Sequence, residues 1–328
     1  MIFKQLFADG PASTPRTISA LARDVRYFLE LTPRQLPSRY LYDPLGSCLF
    51  EAICRLPWYG ITRAENELLT RHAAAIGSEL REPASIIELG CGSGEKLARL
   101  ITSMPARSTP LDLHLVDVSA TALALSQRAL SALTDARVFV HQSTYETGMR
   151  AAAHYRADRT VMLLFLGSNI GNFDPAGAAA FLAEIRETLR SGDRLLLGAD
   201  LLKPEAELLR AYDDPLGVTA AFNKNLLVRI NRELEADFKI DGFDHRVVWN
   251  AEPSRIEMHL VSRRSQTVSI PGADLVVPFQ HGELIWTESS YKYDPGELIS
   301  MVEPHGFGCR RQWLHETARF ALTLFEAI

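Results

Sequence analysis

Cysteine is scarce in this chain. Its four residues, Cys48, Cys54, Cys91 and Cys309, form no CxxC pair and no zinc-ribbon spacing. That argues against a disulfide scaffold and a cysteine-bound metal centre, and a chain this long needs neither to fold. Runs of lysine and arginine able to track a phosphate backbone are also missing. With 35 basic against 40 acidic residues the formal charge is -5, so nucleic acid is not an expected partner. No stretch approaches the roughly 18 apolar residues of a membrane helix. Residues 1–10 hold only a short apolar patch, not the continuous segment of a signal peptide. A cytoplasmic protein acting on a small molecule, away from membranes, is the expectation. Nothing in the pattern indicates an oligomeric state.

What is present is ordinary for a globular protein: 47% hydrophobic and 23% charged residues over 328 positions. That length accommodates one large α/β unit or two domains sharing an interface. Residues 11–40 read as a proline-punctuated lead-in with a helix over Ile18–Leu29. A second helix is expected over Thr62–Leu80, with Thr62 as N-cap and Glu65 at the spacing of a capping box.

From there strands and helices alternate. Near-continuous apolar strands are expected at Ser85–Gly90, Leu113–Asp117, Arg137–His141, Val161–Leu166 and Arg194–Ala199, the signature of a parallel sheet covered on both faces. After Asp200 a long helical pattern, Glu205–Leu234, gives way to the period-two segments Arg255–Val261 and Thr267–Ile270. The expected organisation is a doubly wound, Rossmann-like α/β domain over 1–201 plus 294–328, interrupted by a smaller α+β unit over 202–293. A closing helix, Pro295–Pro304, and strands near Cys309–Leu314 and Phe320–Phe325 are expected to add an antiparallel edge to the first sheet.

The densest chemical signal is Ile86-Ile-Glu-Leu-Gly-Cys-Gly-Ser-Gly-Glu-Lys96, where a buried strand turns sharply into a helix. Glycines there let a nucleotide approach bare backbone. The spacing Gly90-x-Gly92-x-Gly94 is shorter than the GxGxxG that seats a pyrophosphate, and Glu88 precedes it. Both features favour S-adenosylmethionine over a nicotinamide dinucleotide. Backbone groups at the turn and a cation such as Lys96 suit the zwitterionic methionine end. Asp117, at the end of the next strand, is placed to accept from both ribose hydroxyls. Tight packing alone would also use such a turn, and Lys96 taken singly suits a solvated helix position equally well.

Distant blocks add the acceptor. Tyr42-Asp-Pro-Leu-Gly-Ser-Cys-Leu-Phe50, Leu56-Pro-Trp-Tyr-Gly-Ile-Thr-Arg-Ala-Glu65, Phe165-Leu-Gly-Ser-Asn-Ile-Gly-Asn172, Ala211-Tyr-Asp-Asp214, Gly217-Val-Thr-Ala-Ala-Phe-Asn223, Arg255-Ile-Glu-Met258 and Thr287-Glu-Ser-Ser290 span most of the chain. In these blocks it resembles the histidine-specific Nα-methyltransferases of ergothioneine biosynthesis, which convert histidine to its trimethyl betaine, hercynine. The resemblance implies a class I methyltransferase sheet with an inserted substrate domain. It further implies that Asn172 and Tyr212 grip the substrate carboxylate and that Tyr59 stands beside the reacting amine. The turn at Gly167 would bring backbone close to that amine. Glu288 and Ser290 would bind the imidazole, Phe50 and Met258 would form apolar walls, and Tyr42 would join the cofactor contacts. Tyr59 and Asn172 are thereby the expected catalytic pair.

One block departs from the family. Where Gly-Asp-Phe-Glu is usual, this chain has Ser143-Thr-Tyr-Glu146. Thr144 replaces an aspartate expected to contact adenine, with Tyr145 retaining an aromatic face, so altered cofactor affinity is implied. Cys91 also stands where serine or another small residue is usual.

On residue pattern alone Asn172 suits an Asx-type turn, Met258 a core position, and Glu288 with Ser290 either face of a strand. A methyltransferase of the same group acting on another amino acid or an indole amine is the nearest alternative. A nicotinamide oxidoreductase and a non-catalytic S-adenosylmethionine-binding subunit are more distant ones.

Overall fold

The structure, a computed structural model, describes residues 19–133 and 135–328. Residues 1–18, with the short apolar patch, Pro11, Pro15 and the Ile18 start of the expected lead-in helix, lie outside it. Helix α1 (Ala20–Leu29) is capped by the Ser19 hydroxyl, which accepts from the Ala22 N–H at 3.1 Å, and it buries Leu21, Val25 and Leu29 along one face. The two-residue strand β1 (Arg34–Gln35) follows, then α2 (Pro44–Cys54), with Asp43 as N-cap and Pro44 in its first turn, then α3 (Ile61–Ser78). The capping box expected at Thr62 does not form. The helix starts at Ile61 after Gly60 without a side-chain cap, and Glu65 is turned into the protein, fully buried. Its carboxylate has stronger partners there than one backbone N–H.

Next come β2 (Ala84–Leu89), α4 (Glu95–Ser103), β3 (Leu111–Asp117), α5 (Ala120–Leu130), β4 (Ala136–Gln142), α6 (Tyr145–His154), β5 (Thr160–Phe165), α7 (Pro175–Thr188) and β6 (Arg194–Asp200). These five strands are mutually parallel. The chain then leaves the sheet and returns through α10 (Pro295–Val302), β12 (Phe307–His315) and β13 (Phe320–Ala327). Strand β13 inserts antiparallel between β6 and β12, completing a seven-stranded sheet of order β12-β13-β6-β5-β2-β3-β4. The sheet is doubly wound, as expected. Alternate side chains of one strand feed separate cores: Ile86 packs toward the N-terminal helices, while Ile87 and Leu89 pack with residues of α6, α7 and α10. Strand order reverses between β2 and β5, which opens a crevice at their carboxyl ends, the usual ligand position of such sheets.

The inserted segment contains α8 (Glu205–Tyr212), α9 (Val218–Leu234), β7 (Phe243–Asn250), β8 (Arg255–Ser262), β9 (Gln266–Ile270), β10 (Leu275–Phe279) and β11 (Leu284–Tyr291). The single helix expected over Glu205–Leu234 is therefore broken in two. Pro215 has no N–H to give, and the Asp214 carboxylate instead accepts from the N–H groups of Leu216, Val218 and Thr219 at 3.0, 3.2 and 2.8 Å. Strand β7 has no counterpart among the expected strands. Its side chains are mostly half-buried, so its apolar alternation is weak.

The second sheet has order β1-β11-β8-β7. Its outer strand β1 comes from the lead-in, and α2 packs on α9, so residues well before 202 are built into the smaller unit. Entry and exit of the insertion lie side by side, with Leu201 bridged to Tyr293.

Candidate active site

The glycine turn after β2 is strained in the way its composition allows. Gly90, Gly92 and Gly94 have φ of 71°, 52° and 74°, a region costly for any other residue. Asp117 at the end of β3 faces this turn: its Oδ2 accepts from the Gly92 N–H at 3.3 Å and its Oδ1 from the Ser119 N–H at 2.8 Å. Burial raises the Asp117 carboxyl above its ordinary value. Glu88 is fully enclosed beneath the turn. Burial raises its carboxyl to about 8 against the opposing pull of Lys96, and its Oε2 has no hydrogen-bond partner among the described residues. A bare-backbone cradle, a carboxylate at the next strand end and an orphaned buried oxygen fit an adenosyl cofactor with a polar amino-acid tail.

Three of the residues expected at the cofactor have well-defined partners within the protein. The Lys96 ammonium lies 2.5 Å from the buried Glu65 carboxylate, so its charge is already paired. Thr144 is exposed, and its hydroxyl donates to the Thr147 hydroxyl at 3.3 Å. Tyr145 turns its ring inward against Phe165 and Phe181, at centroid distances of 5.4 and 5.9 Å. What it brings to the turn is its hydroxyl, 3.0 Å from where a β-carbon on Gly90 would be.

Beside the turn lies a cleft whose space free of protein atoms, its solvent-open mouth included, is about 460 Å³. Phe50, Tyr59, Gly167, Asn172, Tyr212, Met258, Glu288 and Ser290 all line it, so every residue expected to touch the acceptor is gathered there from five separate parts of the chain. Tyr42, expected on the cofactor side, lines it as well. Its ring meets Phe50 and Phe222 edge-on at 5.4 and 5.5 Å, and Tyr59 meets Tyr212 at 6.2 Å. The result is an aromatic enclosure able to surround a cationic amine.

The polar wall depends on a β-bulge. In β11 Trp286 pairs with His259 and Glu288 with the adjacent Met258, leaving Thr287 as the extra residue. Trp286 therefore sits on the sheet face of His259, whereas Glu288 and Ser290 enter the cleft beside Met258. Burial raises the Glu288 carboxyl to about 7, against the opposing pull of Lys292.

Two charged groups escaped the sequence reading as site residues. The Glu65 carboxylate accepts from the Gly167 N–H at 2.8 and 3.0 Å while holding Lys96, so it ties the cofactor turn to the acceptor cleft. Lys292, fully buried, reaches Asp200 Oδ2 at 3.1 Å, the Tyr212 hydroxyl at 2.8 Å and the Ser290 hydroxyl at 2.9 Å. A signal for it existed: Lys292 continues the spacing of two set by Glu288 and Ser290, one residue beyond the end of β11.

The model of the histidine-specific, S-adenosylmethionine-dependent methyltransferases matches residues 21–327. The chain is 41% identical over 310 residues to histidine N-alpha-methyltransferase of Mycobacterium tuberculosis, covering 93% of this chain and 94% of that protein. It is 39% identical over 307 residues to the protein of the same name from Mycolicibacterium smegmatis, with coverages of 93% and 94%. It is more distantly similar, at 28% over 326 residues and coverages of 90% and 88%, to an L-tryptophan methyltransferase of Psilocybe serbica. With the glycine turn, the strand order and the cleft in agreement with a match over nearly its whole length, the chain belongs to the S-adenosylmethionine-dependent, histidine-specific methyltransferase family.

Proposed function

We propose that this enzyme transfers methyl groups from S-adenosylmethionine to the α-amino group of L-histidine, up to three times, giving hercynine. The observation that carries the reading is the cleft. Glu288 and Ser290 stand on one wall, Asn172 and Tyr212 line the same space, and Tyr59 stands next to Tyr212. An imidazole needs polar partners in a buried site, and a site built around them rejects side chains that leave them unsatisfied. The aromatic rings supply the complement for a product that gains permanent positive charge. The insertion contributes Tyr212, Phe222, Met258, Glu288 and Ser290, and the larger sheet contributes the cofactor turn, which assigns acceptor choice to one unit and methyl donation to the other. The four cysteines are free thiols, which suits a reducing, cytoplasmic setting.

When bound, the cofactor supplies an electrophilic sulfonium methyl. The protein's part is to align the acceptor lone pair and exclude water. The α-amine titrates near about 8 and must lose a proton before each transfer. Burial pushes the Tyr59 phenol well above its ordinary value, with the nearby Tyr212 hydroxyl adding to the shift. It is therefore an orienting hydrogen-bond partner, and water is the proton's first acceptor.

The test is incubation with S-adenosylmethionine and an equimolar amino-acid mixture, followed by mass analysis. Histidine gaining 14, 28 and 42 mass units is the expected result, where one methyl group for hydrogen adds about 14. Methylation of tryptophan with none on histidine would overturn the assignment.

A further inference from the structure

Lys292 has three N–H bonds, and all three are committed: to Asp200 Oδ2 at 3.1 Å, Tyr212 Oη at 2.8 Å and Ser290 Oγ at 2.9 Å. The two hydroxyls also share a hydrogen bond of 2.8 Å. The ammonium has no lone pair, so each hydroxyl must accept from it. Of their two hydrogens, one is used between them. A single O–H remains to be given to a ligand.

This count has a consequence for the acceptor, and it rests on the histidine reading above. If Ser290 gave the spare hydrogen to the ring, Tyr212 would spend its own on Ser290 and would offer a carboxylate nothing but lone pairs. If Ser290 donates to Tyr212, Tyr212 is free to donate to the carboxylate, and Ser290 keeps one lone pair for a ring N–H. Only the second arrangement satisfies both ends of the substrate.

We propose that Lys292, anchored on Asp200, is a specificity-determining positioning residue that fixes Ser290 as an acceptor, so that the cleft selects a ring presenting an N–H to that oxygen. Glu288 then meets the other ring nitrogen, donating to it when its carboxyl is protonated or accepting from it when the ring is an imidazolium. The buried ammonium that does this is paired on the spot with Asp200, a carboxylate it shares with Lys203 at 2.6 Å, and both Lys292 and Asp200 are almost wholly enclosed. Burial by itself would favour a neutral amine, but the Tyr212 hydroxyl and the Asp200 carboxylate outweigh it and keep Lys292 protonated. No sequence motif for the cofactor or acceptor contains Lys292, because it acts through the two hydroxyls and touches no ligand itself.

The experiment compares wild type, K292M, which leaves Asp200 paired with Lys203, and the double variant D200N/K292M, which removes the anchoring carboxylate charge along with the ammonium. Each is assayed with L-histidine and with 3-(4-thiazolyl)alanine, whose ring lacks an N–H. Binding of S-adenosylhomocysteine is measured in parallel as a report on the fold. Loss of charge-assisted hydrogen bonds predicts a histidine KM about tenfold to a hundredfold higher, a much smaller change in kcat, and intact cofactor-product binding. With Ser290 free to donate, the preference for histidine over the thiazole should shrink by about tenfold or more. An unchanged preference with intact S-adenosylhomocysteine binding overturns the proposal, as does loss of that binding in both variants, which would make Lys292 purely structural. Wild type giving no methylated histidine would remove the functional reading itself, before any variant is compared.

Discussion

Glu288 carries an expense that the proposed imidazole binding would explain. A carboxyl raised to about 7 by burial destabilises the folded protein wherever it must ionise. The cost is absent below the unfolded value near about 4.3 and grows as pH rises to about 7. E288Q should therefore melt higher than wild type at pH 8 and show no such gain at pH 4, checked by thermal scans at both. The same variant should raise the histidine KM at least tenfold with little effect on the S-adenosylmethionine KM, since its side chain lies in the acceptor cleft. Equal losses for both substrates would remove Glu288 from imidazole binding. At Tyr59, whose phenol is a poor base, Y59F should lower kcat by no more than about tenfold, because one neutral hydrogen bond is lost and the water route remains. Abolished turnover would assign the proton to the tyrosine.

Among the elements, the break between α8 and α9 and the bulge in β11 do most to shape the cleft. Tyr212 is the last residue of α8, and Thr219 and Phe222 lie in the first turns of α9, so the interruption itself opens the wall they form. Asp214 stabilises that break with three accepted N–H bonds, and these hold its carboxyl below the ordinary value although burial opposes them. D214A should cost about 1–2 kcal/mol, lower the melting temperature by a few degrees and raise the acceptor KM through displacement of Tyr212. Urea melts and steady-state kinetics check the two effects separately. A variant with normal stability and normal KM would show that the helix ends are held by packing alone. The bulge explains why strict period two fails here. Trp286, Glu288 and Ser290 share a parity in sequence, yet the extra residue Thr287, whose hydroxyl donates to the Met258 carbonyl at 2.9 Å, puts Trp286 on the other face.

At the scale of the whole molecule, Asp43 joins the lead-in to the insertion. Its carboxylate caps α2 through the Gly46 N–H at 2.8 Å and also accepts from Asn225 at 2.7 Å and Arg232 at 2.7 Å, both on α9. Burial would raise this carboxyl, but those donors together hold it below its ordinary value. A depressed carboxylate contributes stability that is present above the unfolded value near about 3.9 and is lost as pH falls through the lower, folded one. D43N should be less stable at pH 7, and the gap to wild type should close as pH drops below 4. Thermal scans across that range decide it, and a pH-independent gap would assign the loss to packing instead.

The cofactor half of the fold was legible because its determinants are local. Apolar strands, helices between them and a glycine turn followed by Asp117 are each specified within a few residues, and the turn's positive φ values leave little choice of residue. Those features determine the doubly wound sheet and the glycine turn at its carboxyl end. The acceptor residues were named from family blocks and not from periodicity, which by itself left Glu288 and Ser290 free to face either way. Tertiary structure decided what local pattern cannot encode: that Glu65 serves Gly167 and Lys96 and caps nothing, that Tyr145 faces inward, and that a bulge aims Glu288 into the cleft. It also decided that Lys292 is buried against Asp200 and the two hydroxyls. The physical reason is common to all four. A buried polar group takes its orientation from partners far away in the chain, and only the packed fold brings those partners within hydrogen-bonding distance.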